Sequence, residues 1–292
     1  MDAFSGKNVL ITGSSYGIGA ATAERLVASG ANVVLSGRTM TPDERSQYQP
    51  ISLEETTARL REYGTTVVPI RTDMANEESR MALVPAAVAA LGGPLDILIN
   101  NAAAGIYKPN LGYTLKHRRL MMEVNFDAPV DLTQLVVPGM IERGAGWIVN
   151  VSSGVARYHY GPPDPTAPRA QSRGPFGANQ GVYGASKAAL NRITVAFAAE
   201  LAGTGVRVNT VEPTGAVMSD GAVARGMDGI PESAVQSMEA MVESIVYLCA
   251  CPEERTGGVH TSLDLLDEVG LTVMTLDGSE PFAGGYRRVL PS

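Results

Sequence analysis

Residues 7–39 read KNVLITGSSYGIGAATAERLVASGANVVLSGRT, and the order of these pieces decides the fold. An apolar run at 7–12 meets a turn that contains Gly13, Gly17 and Gly19. An alanine-rich, helix-forming stretch follows and closes on Gly30, and a second apolar run occupies 31–36. Both runs are continuously apolar rather than alternating, as in strands covered on both faces. Strand, turn, helix and strand in that order make a βαβ unit, which implies parallel strands and a right-handed crossover.

The same alternation continues outward. Further strand-like runs are TTVVPI (65–70), DILIN (96–100), GWIVNV (146–151), VRVNTV (206–211) and LTVMTL (271–276). Helix-length segments separate them, several ending in glycine, the usual C-cap residue. The pattern predicts an α/β fold, a Rossmann-type doubly wound parallel sheet of about seven strands flanked by helices. No compositional break divides residues 1–292, so they read as one Rossmann-fold domain. Its departures are a polar loop at 37–51, an extended loop insertion at about 154–182 and an extended C-terminal segment at about 252–292. Loops of that length are usually functional or mobile.

The bulk numbers narrow the function classes. Of 292 residues 45% are hydrophobic and 18% charged, an ordinary globular composition. The net charge is −7 with no basic run, which argues against nucleic acid as a partner. No apolar run reaches a membrane span, and the first residues enter a strand without a cleavable leader, so a cytoplasmic protein is expected. Cys249 and Cys251 are alternate residues suited to apolar packing in a reducing compartment. His117, His159 and His260 have no metal-ligand spacing, and no metal is expected.

Glycines after the first strand let backbone approach a pyrophosphate, and the next helix N-terminus offers unpaired N–H groups and a positive dipole end. The second strand then reports the dinucleotide. An acid near its end would take ribose hydroxyls, but here Gly37 holds that place and Arg38 follows. A guanidinium suits a 2′-phosphate, so NADP(H) is expected, with NAD as the alternative.

At the other end of the sheet edge, Tyr183 and Lys187 are spaced to share one helix face. A free tyrosine titrates near 10, and an adjacent ammonium favours its phenolate, as acid–base chemistry near neutrality requires. IVNVSS brings Ser153 to the carboxyl end of a buried strand, where open α/β sheets bind ligands. Asn125 lies inside a helical run, a position that tends to mark a bend or a bonded polar group.

Together these motifs resemble the short-chain dehydrogenase/reductase family in its standard single-domain branch, from Lys7 to about Gly278. The family's T-G-x-x-x-G-x-G corresponds to Thr12–Gly19, here TGSSYGIG, which implies that Gly13, Ser15, Tyr16, Gly17, Ile18 and Gly19 hold cofactor. The resemblance further implies adenine contacts at Asp73 and Met74, and cofactor contacts at Asn100 and Ala102 of NNAA. It makes Asn125, Ser153, Tyr183 and Lys187 the catalytic set. Tyr183 would exchange a proton with the substrate oxygen and Ser153 would hydrogen-bond that oxygen. Lys187 would lower the tyrosine pKa and hold the nicotinamide ribose. Asn125 would hold a water linking Lys187 to bulk.

This chain departs from the family pattern in four places. Ala103 stands for the Gly of N-N-A-G. Thr214 is inserted between Pro213 and Gly215, which shifts the carboxamide contacts to Val217 and Ser219. HTSLDLLDEVG delays the expected last strand. Between Ser153 and Tyr183 lie 29 residues with five prolines, more than the family usually places there. Tyr158, His159, Tyr160 and Phe176 would line the substrate, or else the excursion lies on the surface or at a subunit contact. Met218, Met227, Met238 and Met241 suggest an apolar, adaptable lid, with core packing as the alternative.

The expected function is therefore an NADP(H)-dependent oxidoreductase acting on a ketone/secondary alcohol pair. Its substrate would be a small, apolar carbonyl or alcohol compound, and the assembly a homodimer or homotetramer. The alternatives are a same-fold lyase or epimerase, or a non-catalytic dinucleotide sensor.

Overall fold

The structure is a computed structural model that describes residues 2–157, 179–219 and 230–284. Seven strands form one parallel sheet: β1 (Asn8–Thr12), β2 (Asn32–Gly37), β3 (Val67–Arg71), β4 (Ile97–Asn100), β5 (Gly146–Val151), β6 (Val206–Glu212) and β9 (Val259–Thr261). Their spatial order is β3-β2-β1-β4-β5-β6-β9. The order reverses between β1 and β4, which pair in register Val9↔Ile97 to Ile11↔Ile99. That reversal opens a crevice at the carboxyl ends of the strands.

Alternate side chains of each strand feed opposite cores. Val9, Ile11, Val33 and Leu35 pack against helices α1 (Gly17–Ala28), α2 (Leu53–Leu60), α8 (Met238–Leu248) and α9 (Ser262–Val269). Leu10, Val34, Leu98 and Ile148 pack on the other face against α4 (Leu83–Leu91), α6 (Ala128–Arg143) and α7 (Gly181–Glu200). The inner strands are thus buried on both faces, as their composition predicts, while β3 at the sheet edge is buried only at Val67. No helix among the described residues is long and apolar enough to cross a membrane.

The seventh strand lies elsewhere than expected. LTVMTL (271–276) forms no strand of the sheet; only Met274 makes an isolated bridge, with Pro281. The strand is Val259–Thr261, paired with β6 from Thr210↔Val259 to Glu212↔Thr261. It has one neighbour and leaves Val259 44% exposed, so it lacks the two-face apolar signature. Val273 and Leu271 instead close a small cluster with Leu263, Leu266 and Ala240. The segment expected to delay the last strand, HTSLDLLDEVG (260–270), holds the end of this strand and the whole of α9.

Two of the four methionines read as a lid belong to the core instead. Met241 is fully buried on α8 and Met238 packs against the same core. Met227 lies outside the described residues, as do Tyr158, His159, Tyr160 and Phe176. Two further short strands, β7 (Ala216–Val217) and β8 (Val235–Gln236), pair in parallel beyond β6.

Candidate active site

The turn after β1 is built by glycines that only glycine can satisfy. Gly13 and Gly17 have φ of +65° and +63°, in the left-handed region. A Cβ on Gly13 would also lie 2.7 Å from Ala102 Cα, and one on Gly19 would lie 2.5 Å from both Asn101 Nδ2 and Gly13 O. The backbone is packed so closely that this cradle has no room for side chains facing inward. Ser15 is buried and its carbonyl accepts from Thr56 Oγ1 at 2.6 Å. Tyr16 is the N-cap of α1, and its hydroxyl donates to Tyr48 O at 2.9 Å, which folds the 37–51 loop back toward the turn. Ile18 packs against the core beneath.

Across the crevice, Thr12 Oγ1 accepts from Asn101 N (3.1 Å) and Ala102 N (3.0 Å), tying β1 to the segment after β4. Asn101 Nδ2 donates to Thr12 O and Gly13 O at 2.9 and 2.8 Å. Asn101 thus clamps the glycine turn, a role that sequence reading missed because it is the second asparagine of a pair. The side chain of Asn100 points the other way. Its Nδ2 donates to Asn150 Oδ1 (2.8 Å), and Asn150 Nδ2 donates to Thr194 Oγ1 (2.8 Å), a buried ladder from β4 through β5 to α7.

Arg38 is exposed just past β2 and forms no ion pair among the described residues. With its amide oxygen turned toward the guanidinium, Gln49 stands 3.1 Å from Arg38 Nε. Arg71 donates to Arg38 O at 3.0 Å and pairs with Glu44 at 2.5 Å, which draws that carboxylate to Arg71. Asp73 turns its carboxylate to Ala75 N at 3.0 Å, and Met74 beside it is buried.

The reacting end is held by buried polar side chains. The helical run around Asn125 widens into a single π turn, Glu123–Asp127, between α5 (Leu115–Met122) and α6. Such turns often occur at functional sites. Asn125 is fully buried; its Oδ1 accepts from Ala104 N (2.8 Å), and its Nδ2 donates to Ala104 O and Ser186 Oγ (both 2.9 Å). Ser186 Oγ donates to Tyr183 O at 2.7 Å. Asn125 is therefore linked to the α7 turn that carries Tyr183.

Lys187 lies one turn further along α7, only 2% exposed, and its Nζ donates to Val151 O at 2.8 Å. That contact places the ammonium at the end of β5, two residues before Ser153. Burial pushes the Lys187 pKa down to about 8, which leaves it an ammonium at pH 7. The ring of Tyr107, from the segment after β4, meets Tyr183 edge-on with centroids 5.5 Å apart. Aromatic residues in that segment were not singled out from sequence, and only the fold brings Tyr107 to α7.

The segment after β6 returns toward the glycine turn. A Cβ on Gly17 would lie 3.5 Å from Ser219 Oγ, so Ser219 and the turn are neighbours. Val217 is buried in β7, between Ser219 and the Pro213–Gly215 bend. Arg38, the glycine turn and the helix turn of Tyr183 and Lys187 thus follow the carboxyl ends of β2, β1 and β5, whereas the Asn100 side chain turns into the buried ladder.

The family profile described as short chain dehydrogenase matches residues 7–162. A second, described as Enoyl-(Acyl carrier protein) reductase, matches residues 170–246. The chain is 31% identical to L-xylulose reductase of Mesocricetus auratus over 89% of this chain and 96% of that protein. It is similar in structure to L-sorbose reductase of Gluconobacter frateurii, solved with NADPH and L-sorbose: TM-score 0.70, 28% identity, 89% of this chain and 97% of that one. A 3-oxoacyl (acyl-carrier-protein) reductase of Agrobacterium tumefaciens, solved with NADP bound, gives TM-score 0.71 at 27% identity, covering 88% of this chain and 93% of that one. A cradle closed to side chains at the switch point and matches along nearly the whole length lead to one conclusion: the chain belongs to the short-chain dehydrogenase/reductase family and is an enzyme of the alcohol/carbonyl oxidoreductase class.

Proposed function

We propose that this protein is an NADP(H)-dependent reductase/dehydrogenase of a ketone/secondary alcohol pair, with Tyr183 as the proton donor and acceptor. The observation that carries the reading is the placement of Lys187: a buried ammonium on the Val151 carbonyl, one helical turn from Tyr183. A cation held there has little use in packing and a clear use in stabilising a phenolate. The NADP- and NADPH-bound structures of similar proteins support the cofactor class.

The residues fit a dinucleotide. The glycine turn presents bare backbone ahead of the α1 N-terminus, whose N–H groups and dipole suit a pyrophosphate, and Gly37–Arg38 presents a cation where an acid would repel a 2′-phosphate. When bound, the nicotinamide supplies or accepts the hydride. Tyr183 Oη gives its proton to the carbonyl oxygen in reduction and takes it back in oxidation. Ser153, two residues past the Lys187 anchor, orients that oxygen. Lys187 holds the phenol in its acidic range, and Asn125 fixes the π turn against Ala104 and Ser186. Arg38 takes the 2′-phosphate, and Val217 and Ser219 border the nicotinamide.

The related reductases act on sugar and oxoacyl carbonyls by their names, which supports a small carbonyl compound as the substrate class. With Met238 and Met241 in the core, the case for an apolar substrate loses its basis in those residues. Leu115, Ile141 and Val195 are exposed apolar residues on α5, α6 and α7, which supports assembly of copies through those helices.

Tyr183→Phe tests the reading. Hydride transfer from NADPH to a panel of ketones should fall by about 10²–10⁴, with NADPH binding retained. Turnover equal to wild type would remove Tyr183 from the mechanism.

A further inference from the structure

We propose that Gln236 is a positioning residue for the nicotinamide half of the site: its side-chain oxygen fixes the path of backbone 213–217, the inserted Thr214 included. The proposal rests on the cofactor reading above and adds a residue that no motif contains.

The bend Pro213-Thr214-Gly215 leaves β6 and turns its N–H groups away from the sheet. Both find the same acceptor. Thr214 N donates to Gln236 Oε1 at 2.6 Å and Gly215 N donates to it at 3.1 Å. Ser262 Oγ donates to that oxygen at 2.9 Å. One amide oxygen has two lone pairs, so three donors saturate it. Gln236 is 1% exposed, and its Nε2 has no partner among the described residues, so the oxygen alone orients the amide.

The bend is pinned on two more sides. Thr214 Oγ1 accepts from Leu263 N at 3.1 Å, in the first turn of α9. The helix needs this outside acceptor because its own N-cap residue, Thr261, makes no side-chain cap and accepts instead from Arg157 Nη2 at 2.8 Å. Immediately downstream, Ala216↔Val235 and Val217↔Gln236 form the small parallel ladder. The residue inserted relative to the family is therefore the one that locks the bend to α9, and Gln236 is the hub of that lock. Substitution of this acceptor leaves Gly215 N without its partner and Thr214 N with Ser262 Oγ at 3.1 Å alone, so the bend that leads to Val217 and Ser219 loses the contact that joins its two N–H groups.

The test compares two ligands that share the adenosine end. Gln236→Met keeps the side-chain length and removes the acceptor; Gln236→Glu keeps an acceptor oxygen. Dissociation constants for NADPH and for 2′,5′-ADP, which has no nicotinamide, are measured by calorimetry alongside the melting temperature. Gln236→Met should weaken NADPH about tenfold or more. It should leave 2′,5′-ADP within about twofold, and Gln236→Glu should recover most of the NADPH loss. Unchanged NADPH binding in Gln236→Met, or equal weakening of both ligands, would overturn the proposal in favour of no role or a purely structural one. If Gln236→Met does not fold, Thr214→Val, which removes the acceptor for Leu263 N, should show the same selective loss, and its absence would overturn the proposal equally. Wild-type protein that binds neither ligand would overturn the cofactor reading itself, an outcome the wild-type control separates from the others.

Discussion

The two ends of the crevice are built by opposite means. At the glycine turn, function depends on missing atoms: Gly13 and Gly19 approach Ala102, Asn101 and each other so closely that no Cβ fits. At the reacting end it depends on buried atoms that a folding chain would rather leave in water: Asn125, Ser186 and Lys187 are all nearly inaccessible. The first end should break when anything is added, the second when a polar group is removed. They also differ in cost. Close-packed glycine is compatible with stability, whereas a buried ammonium with one carbonyl acceptor among the described residues opposes it.

The largest effect is expected from Lys187→Met. Turnover of NADPH with any accepted ketone should fall by about 10²–10⁴, while the melting temperature rises. Its pH dependence sharpens the point. The folded-state pKa of Lys187 is about 8, against an ordinary value of 10.5. Between those values the unfolded chain keeps a proton that the folded chain has released, so stability increases with pH across that window. Lys187→Met should flatten this rise, measured as melting temperature against pH; an unchanged slope would mean that Lys187 is not the buried cation described.

Gly19→Ala should act at the other end and in the other direction. Its Cβ meets a backbone oxygen, so a loss of about 1–3 kcal/mol in stability is expected, with weaker binding of both NADPH and 2′,5′-ADP. Urea unfolding that matches wild type would show that the turn has more room than its contacts indicate. Arg38→Ala should have the smallest effect on the fold and a selective effect on the ligand. NADPH should weaken by about tenfold, with NADH nearly unaffected. Equal losses of the two would make Arg38 a general contact rather than the reader of a 2′-phosphate.

Much of this arrangement was legible in the sequence because it rests on composition that only one geometry explains. Strands covered on both faces must be apolar at nearly every position, so β1, β2, β4, β5 and β6 read directly from runs such as NVLIT and GWIVNV. Of the two edge strands, β3 still carries a five-residue run, but β9, three residues with one neighbour, carries no such demand, while LTVMTL has the apolar pattern because it packs a small cluster from a loop. At the site, an asparagine inside a helix signalled a local irregularity and the π turn is that irregularity. Asn101 and Gln236 were hidden for a different reason. Both bind backbone groups distant in sequence, and a backbone N–H or carbonyl has the same appearance at every residue.

Thr214 as the cap of a helix made 48 residues later has a consequence for the order of events in synthesis. The first βαβ unit contains most of the adenosine cradle and can close as soon as β4 is made, since its clamp, Asn101, lies on that strand's end. The bend after β6 is different. Its acceptor Gln236 and its partners Ser262 and Leu263 all emerge after it does. A nascent chain therefore acquires one half of its crevice early and the other only when nearly the last of its helices has left the ribosome. A chain that ends before α9 would keep the family's signature motifs and still lack the means to shape the second half.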